Sequence, residues 1–276
     1  MIKVLQVICE PFECGGQELL ICNLFRNIDK SQIIFDFFTP YMGKNDNLVN
    51  EMKSYGSKFY PYRYKKFFSL KNRVGFFKEL KKLLKNNKYD IIHINSVSVL
   101  GLLLGSIVSK KYGQGKIIVH SHNDGNKNIK YKFIKLISSF PLKYNCDAYL
   151  ACSENAAVFK FPKSVIKRKK YYVLKNGIDI EKFRYNECVR KIVREKLGIE
   201  NKFVLGHVGR FEEQKNHNFL IDLFYEYSQK NENAVLLLVG NGSLLEEIQQ
   251  KIKDYSIEKK VIYLGIRDDV NELLQA

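Results

Sequence analysis

Short apolar runs alternate with amphipathic segments along the whole chain. Lys3–Ile8 is rich in β-branched residues and reads as a strand. The segment after it places Leu19, Leu20, Cys22, Leu24 and Phe25 as the apolar positions of a helix. Ile33–Thr39 is a second strand, ended by Pro40, and Phe59–Tyr64 is a weaker third. From about Leu70 to Asn87 runs a basic amphipathic helix, with Val74, Phe77, Leu80 and Leu84 at helical spacing. Further strands are predicted at Tyr89–Asn95, Lys116–His122, Ala148–Cys152 and Tyr171–Leu174, with helices at Val97–Tyr112, near Ile129–Ser139, and in a short stretch after Cys152. These strands are continuous apolar runs, the pattern of parallel strands covered on both faces. Separated by helices they form βαβ units, so the first half is a doubly wound α/β domain.

The same pattern restarts in the second half. After a polar connector, Asn176–Tyr185, come a charged helix, Cys188–Leu197, and a strand, Phe203–Val208. Then follow a helix at Asn216–Gln229, a strand at Ala234–Val239, a helix at Leu244–Tyr255, a strand at Val261–Leu264, and a helix start in Asp268–Ala276. The expected organisation is therefore two Rossmann-like doubly wound domains, residues 1–186 and 187–276. The second holds three strands where a nucleotide-binding sheet of this kind has about six, and is expected to be incomplete, the other reading being a small domain of few strands.

Composition adds one strong feature. Basic residues number 46 against 29 acidic ones, a formal charge of +17. Such an excess suits an anionic partner: nucleic acid, an anionic membrane surface or a phosphorylated substrate. It equally suits lysines that only face solvent, and composition does not choose among these. Six cysteines occur without a C-x-x-C pair, and no Cys/His cluster has zinc spacing, so they read as reduced, mostly buried thiols. The N-terminus is strand-like rather than a signal peptide, and no apolar stretch reaches the roughly 18 residues of a membrane span. A cytoplasmic protein is expected. A nucleic-acid binder is not, because no RNP, KH or helix-turn-helix signature is present.

In open parallel sheets, ligands bind at the carboxyl ends of the strands. After the first strand, Gly15 and Gly16 open a helix, where backbone can approach a ligand closely and the helix terminus favours an anion. A plain tight turn is an equal reading, and the G-x-G-x-x-G fingerprint is absent. After the Ile117–Val119 run come His120, Ser121, His122 and Asn123, placing imidazoles at a strand end. The alternative is a histidine pair satisfied by backbone carbonyls. The densest signal is VGRFEEQKN, Val208 to Asn216. Arg210 offers a bidentate fork to phosphate oxygens, Lys215 a second compact charge, and Asn216 an N-cap for the next helix, which together describe a diphosphate cradle. The turns Gly240-Asn241-Gly242 and Gly265-Ile266-Arg267 extend it.

The stretch Val208–Leu220, VGRFEEQKNHNFL, resembles the phosphate-binding signature of family 4 retaining glycosyltransferases of the GT-B fold. Lys175-Asn176-Gly177-Ile178-Asp179 resembles that family's interdomain turn, and the glycine pair, HSHN and Leu150–Ser153 resemble its first-domain landmarks. The resemblance implies an enzyme that moves sugar from a nucleotide-sugar donor to a glycan or lipid-linked acceptor with retention, in cell-surface polysaccharide synthesis such as capsule. It implies that Arg210 and Lys215 bind the donor diphosphate and that His120 orients donor sugar or acceptor. Gly15, Gly16, His122, Asn123, Asn176 and Gly242 would form the donor and acceptor loops. It implies no protein nucleophile, no cofactor and no metal.

The family's E-x7-E element would follow the third strand of the second domain, where this sequence stops. The expectation is therefore the front part of a transferase, shortened at its C-terminal end. The rival reading is a non-catalytic protein that retains the fold as partner or scaffold of a transferase. The lysines at 78, 81, 82, 85 and 88, with the cluster Lys163–Lys170, are candidates to meet an anionic membrane at its inner face.

Overall fold

The computed structural model describes residues 1–12, 15–42, 46–62, 70–123 and 129–276. The chain separates into two compact units, Met1–Ile178 and Asp179–Ala276. Residues 179–186, grouped with the first domain in the sequence reading, are counted with the second unit.

The first unit runs β1 (Ile2–Ile8), α1 (Gly16–Asn27), β2 (Ile33–Thr39), α2 (Asp46–Ser54), β3 (Phe59–Pro61) and α3 (Leu70–Asn86). It continues with β4 (Ile91–Ser96), α4 (Val99–Tyr112), β5 (Lys116–Ser121), α5 (Ile129–Asn145), β6 (Ala148–Ala151), α6 (Glu154–Lys160), α7 (Lys163–Lys167) and β7 (Tyr172–Val173). Seven parallel strands form one sheet, in the order β3-β2-β1-β4-β5-β6-β7. The order reverses between β1 and β4, which opens a crevice at their carboxyl ends.

Alternation along each strand assigns the two faces. Val4, Ile8, Phe35 and Phe37 pack with Ile21, Cys22 and Phe25 of α1 and with Leu48, Val49 and Met52 of α2. The opposite face carries Leu5, Val7, Ile92, Ile94, Ile117 and Val119, packed against α3, α4, α6 and α7. Helix α2 was not anticipated from the sequence. Its three apolar residues lie among polar ones, so its face shows only against the sheet that buries it. Helix α3 buries Phe76, Phe77, Leu80 and Leu84, while Val74, expected on its apolar face, is exposed. Helix α5 runs six residues beyond its expected end, through Pro141. The proline removes one helical N–H, whose acceptor would be the carbonyl of Ile137 on the exposed side, where water can serve instead.

The second unit runs α8 (Glu187–Leu197), β8 (Phe203–Val208), α9 (His217–Lys230), β9 (Ala234–Val239), α10 (Leu245–Asp254), β10 (Val261–Tyr263) and α11 (Val270–Leu273). Its three parallel strands lie in the order β10-β9-β8. The core is β9, buried along its whole length, packed with Ile221 and Phe224 of α9 and Ile248 and Ile252 of α10. Helix α8 is capped by Asn186, whose Oδ1 accepts from the Val189 N–H at 3.1 Å, and ends on Gly198 in the left-handed region. Of the five described cysteines, Cys9 and Cys22 are buried, Cys146 and Cys152 half-buried, and Cys188 exposed; Cys14 lies outside the described residues.

Candidate functional site

At the carboxyl ends of β1, β4 and β5 the first unit holds a polar cluster. Register places Gln6 beside His93 and Asn95 beside His120, so these four side chains share one sheet face. Asn95 Nδ2 donates to Gln6 Oε1 at 3.0 Å, and Asn95 Oδ1 meets His122 Nε2 at 3.0 Å. The three imidazoles stand in file, with ring centres 5.4 Å apart for His93 and His120 and 4.0 Å for His120 and His122. Burial lowers the pKa of all three, most strongly for His120. For His120 and His122 the neighbouring histidines and Lys160 act in the same direction. His93 is pushed down to about 4 and His122 to about 3, so the file is neutral at ordinary pH. Among the described residues, both ring nitrogens of His120, Nε2 of His93 and Nδ1 of His122 lack a hydrogen-bond partner.

Near the cluster lie two charged residues absent from the sequence reading, Lys160 and Glu10, each bonded to Ser96. Lys160, at the end of α6, is 1% exposed. Its Nζ donates to Asn123 Oδ1 at 2.6 Å and to the Ser96 carbonyl at 3.3 Å. Glu10, just past β1, accepts from Ser96 Oγ at 2.8 Å and from the Val97 N–H at 3.0 Å. Loss of water raises the Glu10 pKa, while the Ser96 and Val97 hydrogen bonds, the Lys160 charge and the Gln17 side chain pull it back. The sequence did carry a signal for this pair: Lys160 is a lone charge inside the apolar run VFKF, and Glu10 directly follows an apolar strand.

In the second unit the loops after the three strands are laced by their backbones. Gly209 N donates to Val239 O at 2.9 Å, Phe211 N to Asn241 O at 3.0 Å, and Leu244 N to Phe211 O at 2.9 Å. Gly240 N donates to Gly265 O at 2.8 Å. Glu212 ties the first loop to the second, accepting from the Ser243 N–H at 3.2 Å and its hydroxyl at 3.0 Å. A Cβ on Gly240, whose φ is +136°, would fall 1.9 Å from the Gly209 carbonyl oxygen; one on Gly242 would fall 2.4 Å from that of Phe211. Only glycine permits this approach. Arg210 and Lys215 project from the lacework, both exposed, and form no ion pair among the described residues. The Lys215 stem passes over Gly209, beside His207.

The residues singled out from the sequence are therefore distributed as follows. His120 is wholly buried within β5, whereas His122 retains exposed surface. Gly15 is the N-cap residue of α1, and Gly16 lies against the Asn176 side chain, which brings two expected loop residues together. Asn123 is held by Lys160. Arg210, Lys215 and Gly242 belong to one loop cluster in the second unit. Asn216 departs from expectation: it precedes α9 in the left-handed region, φ 49°, and its side chain makes no cap hydrogen bond.

Two parallel-sheet α/β units in one chain, with glycine loops at the strand ends, define the GT-B class of fold. The chain belongs to glycosyltransferase family 4: the model described as Glycosyltransferase Family 4 matches residues 14–182, and that described as Glycosyl transferases group 1 matches residues 189–276. It is 29% identical over 268 residues to the Bacillus subtilis protein EpsF, named as a glycosyltransferase, covering 95% of this chain and 68% of that protein. It is 28% identical over 247 residues to the Escherichia coli UDP-Gal:alpha-D-GlcNAc-diphosphoundecaprenol alpha-1,3-galactosyltransferase, covering 87% of this chain and 58% of that one. Anabaena Alr3699/HepE, solved with UDP and glucose, shares the fold with a TM-score of 0.74 at 19% identity, over 99% of this chain and 71% of that one. The chain thus spans roughly three-fifths to seven-tenths of the length of these relatives.

Proposed function

We propose that this protein transfers a sugar from a nucleoside-diphosphate donor to a lipid-linked glycan, with retention and without a metal, in polysaccharide synthesis at the inner face of a membrane. The observation that carries this reading is the second unit's loop cluster. Arg210 and Lys215, free of carboxylate partners among the described residues, stand over backbone compacted by Gly209, Gly240 and Gly242. Two cations on one loop, without carboxylate partners among the described residues, fit a diphosphate, and their attraction grows as negative charge gathers on the leaving group. The E. coli relative's name, a galactosyl donor and a diphosphoundecaprenol acceptor, supports both halves of the proposal.

In the first unit, His122 is the imidazole with surface to meet a sugar hydroxyl, and His120 backs it. Both are neutral, so each accepts or donates a hydrogen bond without bringing charge. Gly15, Gly16 and Asn176 line the start of α1, where backbone N–H groups suit a phosphate of donor or acceptor. No side chain here is assigned as a nucleophile.

Transfer is tested by incubating the purified chain with labelled UDP- and GDP-sugars and a polyprenyl-diphosphate-linked N-acetylhexosamine. The expected product is a labelled lipid whose new linkage keeps the donor's anomeric configuration. Nucleoside-diphosphate binding with no product from any donor would contradict catalysis by this chain and favour a non-catalytic partner of a transferase.

A further inference from the structure

Helix α5 is built inside out. Phe133, Leu136, Ile137, Phe140 and Tyr144 are between 53% and 72% exposed. They fall at positions i, i+3, i+4, i+7 and i+11, a single stripe along the helix. The opposite side faces the protein through Ser138 and Leu142, both 0% exposed. That side is fixed by two further bonds: the Tyr149 hydroxyl donates to the Leu142 carbonyl at 2.7 Å, and Lys135 Nζ donates to the Val158 carbonyl. Val158 itself is 51% exposed on the neighbouring α6. A contiguous exposed apolar stripe of this kind marks an interaction surface rather than scattered surface residues.

The surroundings say what kind. Between residues 133 and 170 the chain carries eight lysines and arginines against two acidic residues. Both acids are already engaged, Asp147 with Lys116 and the Ile117 N–H, Glu154 with the Tyr171 hydroxyl. Lys143, Lys163 and residues 167–170 are exposed cations on or beside α5 and the adjoining α7. Helix α3, also rich in lysine, differs. Phe76, Phe77, Leu80 and Leu84 are buried, leaving Val74 as its one exposed large apolar side chain among the described residues; Lys82 pairs with Glu79, and Lys81 lies 4.8 Å and Lys85 5.6 Å from the Tyr112 ring centre. Among the described residues, α5 carries five exposed apolar side chains in one stripe beside cations without ion-pair partners, where α3 exposes Val74 alone. A second copy of the same face would bring positive charge against positive charge.

We propose that α5 lies in the interface of an anionic lipid bilayer, its aromatic and aliphatic stripe inserted among the acyl chains and the lysines of α5 and α7 on the headgroups. Apolar burial and attraction to anionic headgroups act together in such helices. The inference deepens the proposed placement at a membrane face by naming the surface that meets it, and its test is independent of transfer, since vesicle binding is read without donor or acceptor.

The test is sedimentation of the purified chain with vesicles of phosphatidylcholine alone or mixed with an equal part of phosphatidylglycerol. Wild-type protein is expected to sediment with the mixed vesicles, and the variant Phe133→Ser/Leu136→Ser/Phe140→Ser to lose at least about tenfold in apparent affinity. Because these side chains are exposed, the variant's thermal melting should match wild type, which separates lost insertion from lost fold. Lys78→Ala/Lys82→Ala on α3 should reduce binding far less. Equal sedimentation of the triple variant and wild type would overturn the proposal. So would equal binding to neutral vesicles, or self-association abolished by the triple variant in a protein that ignores vesicles.

Discussion

The imidazoles of His93, His120 and His122 are held neutral by burial, and this sets a pH dependence of stability. A histidine whose folded pKa lies below its ordinary value of about 6.5 takes up its proton first in the unfolded chain. The contribution is complete above that value and is lost as pH falls towards about 4 for His93 and about 3 for His122. Each such group costs about 1.4 kcal/mol of stability per pH unit within its window. Glu10 acts with the opposite sign, because its raised pKa makes the folded state the better proton acceptor over its own window. Urea unfolding at pH 7.5, 5.5 and 4.5 should show a steep loss of stability on acidification, and His93→Phe should flatten it. The pair Lys160 and Glu10 makes a second prediction. Lys160→Met leaves Asn123 Oδ1 and the Ser96 carbonyl without its ammonium and removes a charge that favours ionised Glu10, and should cost about 1–3 kcal/mol, while adding Glu10→Gln should recover part of that loss. Urea midpoints of the two variants decide it; a neutral Lys160→Met would show that the pair does not hold the β5 loop.

At the scale of elements, the loops after β8, β9 and β10 act as one piece because backbone meets backbone. Gly240→Ala would place a methyl group 1.9 Å from the Gly209 carbonyl oxygen at a φ of +136°, so the first loop must move. The expected outcome is a loss of nucleoside-diphosphate affinity of about tenfold or more with secondary structure retained, measured by titration calorimetry and far-ultraviolet circular dichroism. The loops themselves were legible in the sequence, since strands β8 and β9 coincide with apolar runs and glycines mark their ends. Their lacing was not, because the bonds from Phe211 to Asn241 and from Glu212 to Ser243 join residues about thirty apart, across a crossover. Helix α2 was missed for a related reason. Leu48, Val49 and Met52 are helically spaced but few, and only contact with β2 and α1 makes them a core. The role of Asn216 was misread because its residue type suits a cap, while its backbone is left-handed, not the extended form of a capping residue, and its side chain makes no cap hydrogen bond.

Over the whole molecule, the alternation of apolar runs and amphipathic segments was enough to read two parallel α/β units, because strands buried on both faces leave continuous apolar stretches. The candidate site was legible where chemistry concentrates in one loop, at Arg210 and Lys215, and less so where it is assembled from distant strands. Gln6 meets Asn95 and Glu10 meets Ser96 because β4 lies beside β1, where the sheet order reverses, and Lys160 reaches Ser96 from α6. Charge alone was ambiguous at this scale: a formal +17 fits many partners, lysines are exposed on both α3 and α5, and the exposed apolar stripe of α5 is what sets its lysines apart.

The central claim is that Arg210 and Lys215 hold the diphosphate of a nucleotide donor. It is tested most directly by titrating UDP, GDP and inorganic pyrophosphate into the wild-type chain and into Arg210→Ala/Lys215→Ala. Each charge-assisted contact is worth about 1.5–3 kcal/mol, so the double variant should lose at least about a hundredfold in affinity for the nucleotide that wild type binds. Undiminished binding by the double variant, or no binding of any of the three by wild type, would contradict it.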